Sequence, residues 1–326
     1  MIIITGGAGF IGSAMIWELN RRGYTDILVV DNLATSGKWA NLVGLIYRDY
    51  IQKDEFLTRL PRVGSDKVEA VIHMGACSST TEADCDYLMR NNLEYSKHMF
   101  HLAREHGARF IYASSAATYG DGSLGFDDGD EIMDRLRPLN MYGYSKHLFD
   151  LWLAREGGLD QAAGLKFFNV FGPNEYHKDD MKSVVCKAVA QITATGRLRL
   201  FKSHRSDYAH GEQRRDFVYI KDCVRVMSWL LDHPEVGGIF NVGTGQARTW
   251  NDLARAVFAA MEREPLIDYI DMPETIRDKY QYYTCANLDK LAGRGCDVGF
   301  RPLEDGVDDY VRNYLLRDQA YLTSRY

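Results

Sequence analysis

The first residues of the chain constrain its fold most strongly. Ile2 to Ile4 form a short β-branched run, which is typical of a buried parallel strand. Three glycines at three-residue spacing follow this run: Gly6, Gly9 and Gly12. Glycine permits a tight turn, a close approach of the backbone to a pyrophosphate, and close packing of a helix on a strand. The pattern therefore predicts a dinucleotide-binding turn, with the N-terminus of the next helix facing the phosphates.

A second apolar strand, predicted at 27–30, ends in Asp31. A carboxylate about 20 residues beyond the glycines commonly accepts a hydrogen bond from an adenosine ribose hydroxyl, which favours NAD. Lys38 and Lys53 follow in nearby loops and could hold a ribose 2′-phosphate instead, although a single lysine is more often a solvated surface residue. The composition does not decide between NAD and NADP.

Composition excludes several classes of protein. The chain has 326 residues, a hydrophobic content of 46% and a net charge of −6, which argues against general nucleic-acid binding. It has no apolar run near the ~18 residues of a membrane span, and because its first strand starts at once we expect no signal peptide. Its six scattered cysteines include no C-x-x-C pair, so we expect reduced thiols, no metal site and a cytoplasmic protein.

The first half of the chain alternates strands with helices. The predicted strands are 2–5, 27–30, 45–48, 69–73 and 109–113, and the predicted helices are 10–22, 53–59, 82–106 and 140–156. This alternation predicts a doubly wound parallel sheet of the Rossmann type with helices on both faces. Ligands of such sheets bind at the carboxyl edge of the strands.

The most specific chemistry follows the fifth predicted strand. Ser115 lies at its end, and Tyr142 and Lys146 are four residues apart on a predicted helix, so they share a face. A neighbouring ammonium and a cationic nicotinamide would both favour the tyrosine phenolate and lower the pKa of Tyr142. Tyr142 would then take a proton from a hydroxyl while hydride leaves the carbon, and Ser115 would steady the same oxygen.

These residues together resemble the extended short-chain dehydrogenase/reductase superfamily. Four stretches narrow the resemblance to the family of ADP-L-glycero-D-manno-heptose 6-epimerases: 75–81, 112–120, 169–173 with His177 and Lys178, and 215–219. The similarity runs from residue 1 to about residue 316.

The resemblance implies a redox-neutral inversion at C6 of ADP-heptose for lipopolysaccharide core synthesis. Hydride leaves to bound NADP, a 6-keto sugar forms, and hydride returns to the other face. The resemblance assigns the second acid/base to Lys178, which without it would be taken as a phosphate-binding or surface lysine. The alternatives are a 4-epimerase or 4,6-dehydratase of another nucleotide sugar, or a non-catalytic NADP(H) sensor. Ala116 and Ala117 stand where a dehydratase usually carries Asp-Glu.

The resemblance also supplies candidate binding residues. The cofactor would contact Gly6, Gly9, Phe10, Ile11, Gly12, Asp31, Asn32, Lys38, Lys53, Met74, Gly75, Ala76, Cys77, Ser78, Asn91, Tyr142, Lys146, Val170 and Lys178. The substrate would contact Ser115, Asn169, His177, Asp180, Lys187, Phe201, Arg215 and Tyr280, with adenine on Phe201 and the pyrophosphate paired to Arg215. Met74, Asp180, Lys187 and the long 203–213 loop depart from the family pattern, so hydride chemistry is more firmly indicated than the exact sugar.

The second half of the chain should carry substrate selectivity. A helix at about 180–195 and a strand at 198–201 predict a small lid, whereas 240–245 should return to the first domain. We therefore expect interleaved domains: 1–168 with about 215–248 for the dinucleotide, and 169–214 with about 249–326 for the substrate. Residues 318–326 are expected to form a loose tail. The resemblance implies a homo-oligomer, a ring of five subunits.

Overall fold

The computed structural model describes residues 1–63, 67–277, 280–318 and 320–324. Its strands are β1 (Ile2–Thr5), β2 (Ile27–Asp31), β3 (Asp49–Gln52), β4 (Ala70–His73), β5 (Arg109–Ser115), β6 (Ala162–Phe167), β7 (Asn169–Phe171), β8 (Leu198–Phe201), β9 (Arg214–Tyr219), β10 (Gly238–Val242), β11 (Ala247–Thr249) and β12 (Ile267–Ile270). Its helices are α1 (Phe10–Arg21), α2 (Lys53–Val63), α3 (Cys85–Leu88), α4 (Tyr95–Glu105), α5 (Met141–Arg155), α6 (Val184–Thr195), α7 (Ile220–Asp232), α8 (Trp250–Ala260), α9 (Glu274–Arg277), α10 (Asp289–Gly293) and α11 (Leu303–Tyr310).

Seven strands form one parallel sheet in the order β10-β6-β5-β4-β1-β2-β3. The strand order reverses between β1 and β4, which opens a crevice at their carboxyl ends. Helices cover both faces, so the predicted doubly wound Rossmann-type fold is confirmed. None of the helices in the described ranges has the length and apolar character needed to cross a membrane.

The β-branched strands form the core because both faces of the sheet are covered. Ile4, Val29 and Ile72 belong to one buried cluster, whereas Ile3 and its neighbours belong to another. Successive side chains of a strand point to opposite faces, so each strand contributes to both clusters. This two-sided burial explains why the strands have continuous apolar sequences.

The later part of the chain forms two small sheets. One has the order β11-β9-β7, and the other pairs β8 with β12. Helix α7 then packs on α1, and β10 pairs with β6 in the large sheet. The chain thus leaves the large sheet and returns to it, and on this basis we propose the interleaved division of domains.

The third strand lies four residues later than predicted. The apolar run 45–48 predicted a strand, but Leu45 closes a turn by donating to Leu42 O and is fully buried. Pairing with β2 starts where Arg48 donates to Ile27 O, and Leu28 then lies opposite Asp49. Leu45 is apolar because it packs in the core, and an apolar run does not by itself distinguish a buried turn from a strand.

Three helices also differ from their predicted bounds. The helix predicted at 53–59 extends to Val63 as α2. The helix predicted at 82–106 starts at Cys85, where the Asp84 side chain accepts from Tyr87 N–H, and it contains a π-helical turn at Met89–Glu94. The helix predicted from about 180 starts at Val184, because the Ser183 side chain caps it. The predicted helix at 140–156 is confirmed as α5, with Asn140 accepting from Gly143 N–H.

The prediction of a loose tail is wrong for residues 320–324. Leu322 is 1% exposed within the main apolar cluster, and its N–H donates to Asn174 Oδ1 at 3.0 Å. The position of these residues at the end of the chain predicted a loose tail. One buried leucine and its backbone hydrogen bonds outweigh that tendency.

Candidate active site

A cavity of about 730 Å³ opens at the carboxyl edge of the large sheet, beside the β1–β4 crevice. The predicted site residues that line it are Gly6, Gly9, Phe10, Ile11, Gly12, Asp31, Lys38, Met74, Gly75, Ala76, Cys77, Ser78, Ser115, Tyr142, Lys146, Asn169, Val170, His177 and Lys178. They come from separate stretches of sequence, which the parallel topology gathers at one edge. Eight predicted residues do not line it: Asn32, Lys53, Asn91, Asp180, Lys187, Phe201, Arg215 and Tyr280.

Each of the three positions requires glycine for a different physical reason. Gly6 has φ +65°, and a Cβ there would lie 2.5–2.7 Å from the backbone of Gly75 and Met74. A Cβ on Gly12 would lie 2.2 Å from Gly6 O, so the helix packs on the turn without space for a side chain. Gly9 is the helix N-cap, has no side-chain cap, and lines the cavity. This open cradle at a helix N-terminus fits the pyrophosphate of a dinucleotide.

Gly6→Ala should therefore destabilise the protein much more than a glycine substitution with the same φ in open space. Gly107, at φ +60° with no atom near its Cβ position, is the matched control. Gly107→Ala should cost about 1–2 kcal/mol, the left-handed strain alone. Gly6→Ala should cost about 2 kcal/mol more because of overpacking. Denaturant unfolding measures both values, and equal losses would show that the contact with Gly75 is unimportant.

Asp31 is buried and accepts three hydrogen bonds from groups of the chain. Its Oδ2 accepts from Ala8 N–H at 2.9 Å, and its Oδ1 accepts from Asn32 N–H and Lys38 Nζ, both at 2.6 Å. The carboxylate therefore ties the end of β2 to the glycine turn. The Lys38 ammonium offsets its charge and remains at the cavity wall.

Lys53 and Asn91 bind each other rather than line the cavity. Lys53 Nζ donates to Asn91 Oδ1 at 3.1 Å and lies 3.2 Å from Asp54 Oδ1. Sequence reasoning pointed to the Asn91–Asn92 pair but assigned only Asn91 to the site, whereas the residue that holds the cavity loop is Asn92. It is fully buried in the π-helical turn; its Oδ1 accepts from Cys77 N–H at 2.8 Å, and its Nδ2 donates to Cys77 O and to Ser145 Oγ, both at 3.0 Å.

Asn92 thus fixes the loop after β4 against the helix that carries Tyr142. The paired asparagines inside a helix were the available signal, since asparagine is a poor helix former. Only burial shows which of the two side chains points inward. A π-helical turn of this kind frequently marks a functional position.

Ser115, Tyr142 and Lys146 meet in the cavity as predicted. Tyr142 makes a side-chain hydrogen bond with Ser115, and Lys146 Nζ donates to Ala113 O at 2.8 Å. The expected lowering of the tyrosine pKa is not found in the chain alone. Burial raises the pKa of Tyr142 above its ordinary value, and the hydrogen bond with Ser115 only partly opposes this. A dinucleotide with a cationic nicotinamide would supply the missing positive charge.

Burial also lowers the pKa of Lys146, to about 8, against an opposing effect of Asp150. In the folded protein Lys146 therefore loses its proton near pH 8, whereas in the unfolded chain it stays protonated up to about pH 10.5. Below pH 8 both states are protonated and the folded state bears the full cost of burying the charge, which for this difference is about 3 kcal/mol. Between pH 8 and 10.5 the folded state releases its proton first, so this cost disappears.

Lys146→Met should consequently raise the free energy of unfolding at pH 7 while impairing activity. The excess stability over the unsubstituted protein should shrink as pH rises from 8 toward 10.5. Urea unfolding at pH 7, 8.5 and 10 measures this trend. A variant that is less stable than the parent at pH 7 would contradict it.

Lys178 follows β7 and lies over the start of α1. Its Nζ is 5.3 Å from the centre of the Phe10 ring, and burial lowers its pKa, which Glu175 partly opposes. Glu175 is itself fully buried and accepts from Ser183 N–H and Oγ. His177 is the neighbour of Lys178 in the chain. Burial, and to a lesser extent the charges of Lys38 and Lys178, lower the pKa of His177 to about 4, so its side chain is neutral at pH 7.

Arg215 and Tyr280 lie behind Trp250, which does line the cavity. The Arg215 guanidinium carbon is 4.9 Å from the centre of the Tyr280 ring and 5.9 Å from that of Trp250. Trp250 Nε1 donates to Tyr280 OH at 2.8 Å. These three side chains form one unit, in which the guanidinium lies over both rings, behind the cavity wall.

Three other predicted substrate contacts lie farther out. Asp180 and Lys187 are exposed, and Lys187 Nζ donates to the Asp180 carbonyl at 2.5 Å. Phe201 is half-buried at the end of β8, where it pairs with Ile270.

The histidines of the 203–213 loop have structural partners. His210 Nδ1 accepts from Ser203 N–H at 3.1 Å, and His204 Nε2 accepts from Met272 N–H at 3.3 Å. Within the described ranges, no three His, Cys, Asp or Glu side chains are grouped so that they could hold a metal ion. The loop is therefore braced by backbone contacts to the histidines.

Comparison with known proteins agrees with this geometry. Residues 2–243 match the family described as NAD dependent epimerase/dehydratase family. The ADP-L-glycero-D-manno-heptose-6-epimerase of Nitratidesulfovibrio vulgaris (strain DP4) is 63% identical over 323 residues, which cover 99% of this chain and 100% of that protein. The crystal structure of the Helicobacter pylori ADP-L-glycero-D-manno-heptose-6-epimerase superposes with a TM-score of 0.81 at 27% identity, covering 96% of this chain and 95% of that one.

A third similar structure contains a bound cofactor. The UDP-glucose 4-epimerase of Thermus thermophilus, in complex with NAD, has a TM-score of 0.75 and 26% identity, over 95% of this chain and 97% of that one. The family match covers well over half of the residues, and the first relative covers nearly all of them. This chain belongs to the NAD dependent epimerase/dehydratase family.

Proposed function

We propose that this chain inverts C6 of ADP-D-glycero-D-manno-heptose, giving the L-glycero epimer through a transient 6-keto sugar. The observation that carries the proposal is the meeting of Ser115, Tyr142, Lys146 and Lys178 in one cavity beside the dinucleotide turn. The name of the 63% identical relative supports the choice of sugar. The product would serve as a heptose donor for lipopolysaccharide core synthesis.

Tyr142 is proposed to remove the proton of the 6-hydroxyl. Ser115, which is hydrogen-bonded to Tyr142, would hold the same oxygen. A nicotinamide dinucleotide held at the glycine turn would supply the hydride acceptor and donor. Lys146, held by Ala113 O beside the tyrosine, keeps a positive charge near the phenolate below about pH 8.

Lys178 is proposed as the second acid/base, which serves the other face of the sugar. Its pKa is lowered by burial, which brings its neutral form closer to physiological pH. A base of this kind is most effective when its pKa lies near the working pH. The neutral neighbour His177 adds no competing charge and is proposed, with Asn169, to bind the sugar.

NADP is proposed as the cofactor, with NAD as the alternative. Lys38 supports NADP, because its ammonium neutralises Asp31 and stays at the cavity wall, where a 2′-phosphate would find a cation. Mass spectrometry of the dinucleotide released from purified protein tests this choice. NAD alone in that sample would overturn it.

The experiment that tests the reaction is proton NMR of purified protein with ADP-D-glycero-D-manno-heptose and no added cofactor. We expect a mixture of the two C6 epimers, since the cofactor is regenerated in each turnover. UDP-glucose is the comparison substrate and should be unchanged. No heptose turnover, even with NADP and NAD added, would refute the assignment, and turnover of UDP-glucose would favour a 4-epimerase.

The subunit assembly is a separate proposal. The family resemblance favours a homo-oligomeric ring of five subunits. Sedimentation velocity at micromolar protein should show a species near five times the 37.1 kDa chain mass. A monomer under those conditions would refute the ring.

A further inference from the structure

Residues 320–324, which we call the 320–324 strap, lie across two loops of the dinucleotide side of the molecule. Ala320 O accepts from Tyr176 OH at 2.6 Å, and Leu322 N–H donates to Asn174 Oδ1 at 3.0 Å. Ser324 N–H donates to Gly44 O at 2.8 Å. Buried Leu322 anchors the strap between these bonds.

Asn174 connects the strap to the dinucleotide turn. It is fully buried and adopts φ +78°, a left-handed conformation that asparagine tolerates better than most residues. Its Nδ2 donates to Ser13 Oγ in α1 at 2.9 Å, and its carbonyl accepts from Asn41 Nδ2 at 3.0 Å. Asn41 Nδ2 also donates to Ala8 O, in the glycine turn itself, at 2.9 Å. Both side-chain groups of Asn174 and its carbonyl are thus engaged.

Gly44 contacts the strap at Thr323 and Ser324, the end opposite Ala320. It follows the short helix Gly37–Leu42, which carries Lys38 and Asn41. A Cβ on Gly44 would lie 2.6 Å from Thr323 Oγ1 and 2.8 Å from Thr323 Cβ, although Gly44 is outside the left-handed region. Contact with the strap therefore explains the glycine at this position, since its backbone conformation does not require one.

We propose that the 320–324 strap is a positioning element that holds the adenosine end of the cavity closed. It fixes Asn174 and Gly44, and through them the segments that carry His177, Lys38 and the glycine turn. Retention of the dinucleotide then depends on a segment that does not line the cavity. The inference rests on the proposed binding of a nicotinamide dinucleotide and is independent of the sugar substrate.

Two variants loosen the strap from opposite sides. Leu322→Ala removes its buried anchor, and Gly44→Ala displaces it sterically. Their matched controls are Leu316→Ala, at a leucine that is 49% exposed, and Gly293→Ala, where a Cβ meets no atom within 4 Å. Tyr176→Phe is a milder third variant, which removes only the hydroxyl that donates to Ala320 O.

The measurement is the dissociation rate of labelled NADP from the loaded protein, chased with unlabelled NADP at a temperature where circular dichroism shows folded protein. We expect at least tenfold faster release from Leu322→Ala and Gly44→Ala, about threefold faster release from Tyr176→Phe, and less than a twofold change in both controls. If a strong variant does not fold, Tyr176→Phe decides the question.

Wild-type release rates in folded strap variants would overturn the proposal, as would equal acceleration in the controls. A parent protein that holds no dinucleotide would overturn the cofactor assignment and the strap together. A parent that holds NADP but leaves ADP-heptose unchanged would refute only the proposed sugar. The two failures are therefore distinguishable.

Discussion

Tyr142→Phe should lower kcat for heptose epimerisation by about 10²–10⁴-fold, the usual contribution of a positioned acid/base. The phenyl ring keeps the packing but loses the hydroxyl that faces Ser115 in the cavity. Dinucleotide binding should change little, because the cradle around the glycines is intact. Steady-state kinetics together with the bound-dinucleotide content separates these two effects.

The matched control is Tyr144→Phe. Tyr144 lies two residues later on α5 and is 45% exposed. Its variant should turn over at the parent rate. A Tyr142→Phe variant with more than a tenth of the parent kcat would contradict the assignment of Tyr142 as an acid/base, whereas a parent protein that binds dinucleotide but turns over no sugar would favour a non-catalytic dinucleotide sensor.

Lys178→Met should lower kcat by about 10²-fold or more for the same physical reason, the loss of an acid/base on one face of the sugar. Lys178→Arg distinguishes this role from that of a phosphate-binding lysine. Arginine keeps the positive charge but does not deprotonate at working pH. We therefore expect Lys178→Arg to be as impaired as Lys178→Met, measured as kcat at saturating substrate.

Recovery of kcat in Lys178→Arg would contradict the acid/base role and favour binding of a phosphate. Lys97→Met is the control away from the cavity, since Lys97, which lies on α4, pairs with Glu94 and does not line the cavity. Its kcat should equal that of the parent. A loss in this control would point to a nonspecific effect of removing lysine.

The sequence predicted the large sheet because its strands depend on local signals. Ile2–Ile4 and the glycines that follow are sufficient to identify a buried strand and a phosphate turn. Ser115, Tyr142 and Lys146 could be placed together for a related reason: parallel strands bring their carboxyl ends to one edge, and Tyr142 and Lys146 are four residues apart on α5, so they share a face. The site residues on these elements line one cavity.

Features that depend on contacts between distant segments could not be predicted. Asn92 and Asn91 are equivalent in sequence, and only the fold turns one inward toward Cys77. Nothing in the sequence distinguishes Leu322 from an exposed leucine, because only the fold brings its N–H to Asn174 Oδ1. The sequence suggested that a neighbouring ammonium would lower the pKa of Tyr142, but burial, which the sequence does not show, raises it.

The most direct test of hydride transfer at C6 uses ADP-heptose that carries deuterium at this carbon. Epimerisation through a 6-keto sugar requires that hydride leave C6 and return to the same carbon from the same bound cofactor. Proton NMR and mass spectrometry should then show the inverted product with deuterium retained at C6 and no hydrogen taken from solvent. Inverted product that has exchanged its deuterium for solvent hydrogen would contradict hydride transfer and indicate inversion by removal and return of a proton.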